Sequence, residues 1–422
     1  VEITNIGNVE MSVVNITGLP SNLSYTIKDY TLGMSLCDDT DNSECKLGSV
    51  TTLHITIGYA TNGYSGSNTT IPLELYFIFA QVEHVARIGN NYYDTVVAAV
   101  DSITDTTETT IVLLKNTTEY IEVTDKNIVF DLGNLSLNSA ADKPVIEIIN
   151  GSVKMSNGSI NSIATQGAVN VRSRSRFDIS GGKIIATGSR QCIYNDGGIV
   201  NISGTAYLSN TTNQRAAVHN ATNNGIITIT GGTIISEASA AVTNASGQLV
   251  IGTNDGSVNM TIPILQGGTY GVNNSNGNVI TTFNFYDGII KSASGTGFSL
   301  YAEGIVNVPD GYTIMKSTDS NTESATLTIC SSGISVDNTG NYTTLTSAVG
   351  AASTTTVSTL KLCGSISNST DITISKNLNI NTNGKTISST KVIGFSSGKT
   401  VTINGGGTIT GGTAATLVTS AG

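Results

Sequence analysis

Ile179-Ser180-Gly181-Gly182-Lys183-Ile184 returns as Ile202-Ser203-Gly204-Thr205-Ala206-Tyr207 and again as Ile229-Thr230-Gly231-Gly232-Thr233-Ile234. The copies stand 23 and 27 residues apart. Between them runs a second short beat that ends on Asn: Cys192-Ile193-Tyr194-Asn195, Ala217-Val218-His219-Asn220 and Ala241-Val242-Thr243-Asn244. Each piece alternates apolar with small polar residues over four to six positions, a strand period and not a helix period. Gly-Gly pairs supply the corners that need positive φ. A unit of twenty-odd residues made of several short strands is the mark of a solenoid. The reading is an all-β chain built around a parallel β-helix.

Working outward, the composition agrees. The 422 residues include 46 Gly and no Trp, and only 12% are charged. Coils of this kind need small polar residues at turns and β-branched ones inside. The apolar residues are patterned and not depleted, which excludes disorder. A net charge of −10 without a basic cluster excludes a nucleic-acid partner. No segment is long and apolar enough to span a membrane. Both ends read as cut from a longer chain. Asn-X-Ser/Thr triplets occur at Asn15, Asn22, Asn68, Asn116 and Asn150 among others, and a chain this rich in Asn, Ser and Thr produces them by composition alone.

Residues 1–86 differ from the rest. Strand candidates lie at 1–4, 11–16, 23–27, 53–59 and 71–79, separated by Gly, Asn and Pro turns. His54-Ile55-Thr56-Ile57 and Leu73-Glu74-Leu75-Tyr76-Phe77 alternate strictly, as a half-buried antiparallel sheet does. The expectation is a β-sandwich of immunoglobulin-like type. The run Asn5-Ile6-Gly7-Asn8-Val9-Glu10, then Leu19-Pro20, Tyr25-Thr26-Ile27 and Leu53 to Tyr59, resembles the camelysin-like sandwich domains of Gram-positive bacteria. Some relatives in that family build biofilm fibres. The resemblance carries no zinc-protease chemistry here, because no His-Glu-X-X-His spacing exists.

From residue 87 the style changes. Tyr93-Asp94-Thr95-Val96-Val97-Ala98-Ala99-Val100 has one apolar helical face, followed by strands at 109–114 and 127–132. The module returns at offsets of 249 and 250 residues, as Tyr342-Thr343-Thr344-Leu345-Thr346-Ser347-Ala348-Val349 and Lys376-Asn377-Leu378-Asn379-Ile380. It resembles the entry of pectate-lyase-like right-handed β-helices, where a short amphipathic helix plugs the open coil, so tandem right-handed parallel β-helices are what the resemblance implies. Three domains are therefore expected: the sandwich over 1–86, a β-helix over 87–330, and a second β-helix from 334 to 422. The polar stretch 317–324 is expected as a loop at the boundary.

Pectate-lyase-like folds often host polysaccharide lyases and hydrolases, which need acids gathered on one face. Here Asp178, Asp196, Asp255, Asp287 and Asp310 stand alone in sequence. No catalytic residues are assigned, and the chain is read as non-enzymatic. Arg172, Arg174 and Arg176 alternate and are taken as one strand face, either the solvated outer face of a coil or a stripe able to grip an acidic glycan, with Arg190 and Arg215 near similar positions in later coils. Asp38, Asp39, Asp41 and Glu44 form either a solvated acidic hairpin tip or a set of oxygen ligands for calcium, inside a loop that Cys37 and Cys45 could close by a disulfide. No other cofactor is expected. Cys192 is read as a buried small hydrophobe, while Cys330 and Cys363 are left scattered. His54, His84 and His219 lack ligand-spaced neighbours. Gly394-Phe395-Ser396-Ser397-Gly398 matches a nucleophile elbow in letters only, since no helical pattern follows it. Tyr194, Tyr207, Tyr270, Tyr286 and Tyr301 recur about once per coil, either as a sugar-stacking ladder or as turn packing.

The expected function is that of a secreted or surface-attached adhesin-like rod that presents a binding face to glycans or proteins. Two alternatives stand beside it. One is a polysaccharide lyase or glycoside hydrolase of the same fold. The other is a fibre subunit that assembles through the N-terminal sandwich.

Overall fold

A computed structural model describes residues 2–4, 11–19, 23–28, 32, 50–59, 75–81, 84–140, 142–163, 167–211, 215–274, 282–293, 301–302, 306–319, 322–411 and 417–418. The described residues are almost entirely strands and turns, with two short helices. The chain divides into two compact units, one of Val1–Ser102 with Thr110–Lys115, the other of Ile103–Thr109 with Asn116–Gly422.

In the first unit three antiparallel pairs are formed: Glu2–Thr4 with Val50–Thr52, Met11–Thr17 with Tyr76–Gln81, and Leu23–Lys28 with His54–Tyr59. A bulge between Val13 and Asn15 brings Val13 and Ile16 to the same face, where with Leu53 they form one small core packed by Tyr25, Ile27, Ile55 and Phe77. His54 points outward, as its alternation with Ile55 requires. The same unit holds the strands Ala86–Ile88 and Asn91–Tyr93 and the helix α1, Val96–Ser102. The helix begins at Val96 and not at Tyr93 because Thr95 caps it, its Oγ1 accepting from the Ala98 amide at 3.0 Å.

The second unit is a β-solenoid of right-handed type, of about 11 turns in all. Each full coil contributes one strand to each of three parallel stacks. The first stack of strands runs Ile121–Thr124, Ile146–Ile149, Val169–Arg172, Ile193–Asp196, Val218–Asn220, Val242–Asn244, Val272–Asn274 and Tyr301–Ala302. The repeated beats fall in register: Ile179 lies beside Ile202 and Ile202 beside Ile229, while Asn195 lies beside Asn220 and Asn220 beside Asn244. Inside, Ile128, Val153, Phe177, Val200, Ile227, Leu249 and Phe283 form one continuous buried column. Each such side chain contributes roughly 1.5–3 kcal/mol by leaving water. The corners depend on glycine where coils touch: a Cβ at Gly232, whose φ is +82°, would lie 2.4 Å from the Ala206 carbonyl oxygen.

One inward column changes character. Val123, Ile148 and Val171 give way, in the next coils, to Asn195, Asn220, Asn244 and Asn274. Asn195 Nδ2 donates to Asn220 Oδ1 at 3.0 Å, Asn220 Nδ2 to Asn244 Oδ1 at 2.8 Å, and Asn244 Nδ2 to Asn274 Oδ1 at 2.6 Å. The same amides also bind the turn carbonyls of Gly198, Gly225 and Gly247. A buried amide is tolerable only when its partners are supplied, and for Asn195, Asn220 and Asn244 the following coil supplies them.

The stretch 317–324, expected as a loop, is instead part of a hairpin, Tyr312–Thr318 with Thr322–Ile329. Its alternating Thr and Ser residues are polar but β-branched or small, so they suit an exposed strand. Thr322–Ile329 pairs antiparallel to Ile289–Ala293, the last coil strand of its sheet, and Tyr312–Thr318 leads on through Thr339–Tyr342 to Ile334–Val336 and Ser358–Leu362. Cys330 and Cys363, unpaired on sequence grounds, form a disulfide with Cα atoms 4.8 Å apart. Beyond lies a second set of parallel coils. Helix α2, Leu345–Ala351, is capped by Thr344 and buries Leu345, Ala348 and Val349 in one cluster with Leu360, Leu378, Ile380 and Ile387. The order hairpin, helix, strand repeats that of Ala86–Ile88, Asn91–Tyr93, α1 and Thr109–Leu113, as the sequence offset indicated.

Candidate functional site

Strand alternation turns one row of the first stack outward: Glu122, Glu147, Asn170, Tyr194, His219, Thr243 and Asn273, in register from coil to coil. A second outward position pairs Arg172 with Asp196. Stacking at about 4.8 Å per strand brings together side chains far apart in sequence. Arg172 Nε donates to Glu147 Oε1 at 2.7 Å and its Nη1 to Asp196 Oδ2 at 2.9 Å. Tyr120 donates to Glu147 Oε2 at 2.7 Å and lies 3.1 Å from Glu122 Oε2. The Lys143 ammonium sits 5.1 Å from the Tyr120 ring centroid. Burial favours the neutral form of Glu147, but the Tyr120 and Arg172 hydrogen bonds and the arginine charge outweigh it, so its carboxyl lies below the usual range. Burial, then the hydrogen bond to Glu147, pushes the Tyr120 hydroxyl well above its ordinary value.

One coil further on, the Tyr194 and His219 rings stack with centroids 5.6 Å apart and planes within 10°. Burial, then the nearby Arg215 charge, holds His219 below its ordinary pKa. Asn170, between Glu147 and Tyr194 in the row, is 5% exposed, and its Oδ1 has no hydrogen-bond partner. Gly167 packs closely over it, for a Cβ there would lie 2.8 Å from that oxygen. The open part of the face thus offers carboxylates, a guanidinium and a stacked ring pair, a set suited to hydroxyl-rich ligands.

The three arginines do not form one strand face. Val169–Arg172 ends at Arg172, Arg174 sits in the turn at φ 65°, and Arg176 opens Arg176–Ile179 in another stack. Arg176 pairs with Asp178 of its own strand at 2.8 Å, and Asp178 also accepts from Asn201 at 2.6 Å. Arg190 and Arg215 are exposed. Asp287, 8% exposed, holds the turn after Gln248–Ile251 by accepting from the Thr253 and Asn259 amides at 2.7 and 2.6 Å. Asp255 binds its own turn through Ser257. Cys192 is fully buried, which pushes its thiol up to about 12, as befits a core residue. His84 meets Asp94 at 2.9 Å. The elbow-like letters at 394–398 form a strand end and a turn leading to Val401–Asn404. Cys37, Asp38, Asp39, Asp41, Glu44 and Cys45 lie outside the described residues. Among the described residues no group of three or more His, Cys, Asp or Glu could hold a metal ion, and no helix is long and apolar enough to cross a membrane.

Sequence reasoning missed Glu147, Asn170 and Tyr120. Glu147 breaks the apolar run Val145-Ile146-Glu147-Ile148-Ile149, and that break was the available signal. No family model, curated protein or solved structure matches the chain.

Proposed function

We propose that this chain is part of an extracellular, adhesin-like rod whose outward row from Glu122 to Asn273 binds glycans without cleaving them. The observation that carries the reading is the gathering of Glu147, Arg172, Tyr194, Asp196 and His219 on one parallel sheet. Ring faces stack on sugar rings, while carboxylates and amides take up hydroxyls. Coils hydrogen-bonded on both sides give the stiffness a projecting rod needs. The disulfide Cys330–Cys363 fits an oxidising, exported setting. In this reading the antiparallel pairs of residues 2–81 belong to a sandwich, and α2 covers the entry of a coil stack of pectate-lyase-like type.

The enzymatic alternative rests on Glu147 and Asp196, two carboxylates that a single guanidinium bridges. The full chain incubated with neutral, acidic and basic polysaccharides, scored for bound fraction and for new chain ends, separates the readings. Binding without new ends is expected. New ends that vanish in Glu147→Gln would establish an enzyme, and no binding at all would remove the glycan reading.

A further inference from the structure

Two ladder residues lie in Asn-X-Ser/Thr triplets: Asn220-Ala221-Thr222 and Asn244-Ala245-Ser246. In a secretory pathway that attaches oligosaccharide to asparagine, Nδ2 attacks C1 of a sugar held on a lipid pyrophosphate. The N–C bond forms as the C1–O bond breaks, the pyrophosphate leaves on its lipid, and Nδ2 gives up one proton. The product keeps a single N–H and carries a bulky sugar.

Neither change fits the ladder. Both asparagines are 0% exposed. Asn220 Nδ2 donates to the Gly225 carbonyl at 3.1 Å, to Asn244 Oδ1 at 2.8 Å and to the Gln248 carbonyl at 3.3 Å. The packing leaves no slack, since even a Cβ at Gly225 would stand 2.0 Å from Asn220 Oδ1. Asn259 and Asn341, also in such triplets, are exposed and could carry a glycan. The burial of Asn220 Nδ2 requires the strand that ends in Asn244 and the Gln248 carbonyl, both made after it, so the amide is open while the chain emerges.

We infer that this chain is built to fold in an oxidising compartment that does not glycosylate asparagine. The Cys330–Cys363 disulfide requires the first property and the buried triplets require the second.

The test is secretion of the full chain from eukaryotic cells that glycosylate, beside the quadruple variant Thr212→Val, Thr222→Val, Ser246→Ala, Thr370→Val. That variant removes both ladder triplets and also those of Asn210 and Asn368, which are 1% and 5% exposed, and it keeps every ladder asparagine. Thr222 Oγ1 is buried without a hydrogen-bond partner, so valine costs nothing there, whereas Ser246 gives up a bond to Asn223. Glycan occupancy by mass spectrometry and protease resistance are read on secreted and retained pools. The native chain is expected to be retained with Asn220 or Asn244 occupied, and the variant to give several-fold more protease-resistant secreted protein. A resistant secreted pool with either site occupied would overturn the inference. So would empty sites in both pools, or no gain in the variant.

Discussion

The two coil stacks of the second unit share a plan and differ inside. From Asn195 onward the first carries four stacked buried amides, whereas the second is apolar at Ile366, Ile372, Ile374, Leu378, Ile380, Ile387 and Ile393. Its described coils include a comparable buried amide, Asn368, whose Nδ2 donates to the Ser389 hydroxyl at 3.0 Å. They also show no outward grouping like Glu147, Arg172 and Asp196 among the described residues. The difference teaches where specificity is placed. Apolar columns reward any register that buries them, but an amide ladder is satisfied in one register only. The ladder begins one coil after Arg172 and lies under Tyr194 and His219, so it fixes the coils that present the candidate site.

That contrast can be broken at its strongest point. Asn220→Ala leaves Asn195, Asn244 and the Gly225 carbonyl short of partners, and a loss of about 3–5 kcal/mol is expected in denaturant unfolding. Asn368→Ala in the second stack is expected to cost only about 1–2 kcal/mol. Equal costs would mean that the ladder does not set the first stack apart. Reduction of Cys330–Cys363, whose loop spans 33 residues, is expected to lower stability by about 3–4 kcal/mol on loop entropy. Hydrogen exchange should place that loss in residues 334–395 and spare the ladder coils.

Smaller effects sharpen the outward face. Glu147 is held below its unfolded pKa, so its contribution is present above the unfolded value and is lost as pH falls through the folded one. Glu147→Gln should flatten the acid limb of the stability profile below about pH 4.3. Its cost at neutral pH should be near 1 kcal/mol, because Arg172 is 41% exposed and solvent screens the pair. His219 is also held below its unfolded pKa, but as a cation acid. The folded state binds fewer protons there, so stability should decline as pH falls below about 6.5, and His219→Gln should remove that limb. Arg176→Ala should change stability by less than about 0.5 kcal/mol, since its pair with Asp178 is half exposed.

Much of the fold was legible because a coil writes itself as a period. The spacing of Ile179, Ile202 and Ile229 is the stacking register itself, and the recurrent Asn195, Asn220 and Asn244 mark the ladder. The site was less legible. Alternation over Arg172, Arg174 and Arg176 suggested one strand, but Arg174 takes a left-handed turn that splits them between stacks. Glu147, Arg172 and Asp196 are joined only across coils, at separations of about two dozen residues that a loop of any length can alter. The Cys330–Cys363 pair depends on a hairpin whose Thr and Ser residues looked like a linker.

Binding at the outward row is tested most directly by the double variant Tyr194→Ala, His219→Ala against the polysaccharide the native chain binds best. A loss of about tenfold in affinity, near 1.4 kcal/mol, is expected. Ligand-induced exchange protection should be confined to Ile146–Ile149, Val169–Arg172, Ile193–Asp196 and Val218–Asn220. Unchanged affinity, or protection on another stack, would contradict the assignment of this face.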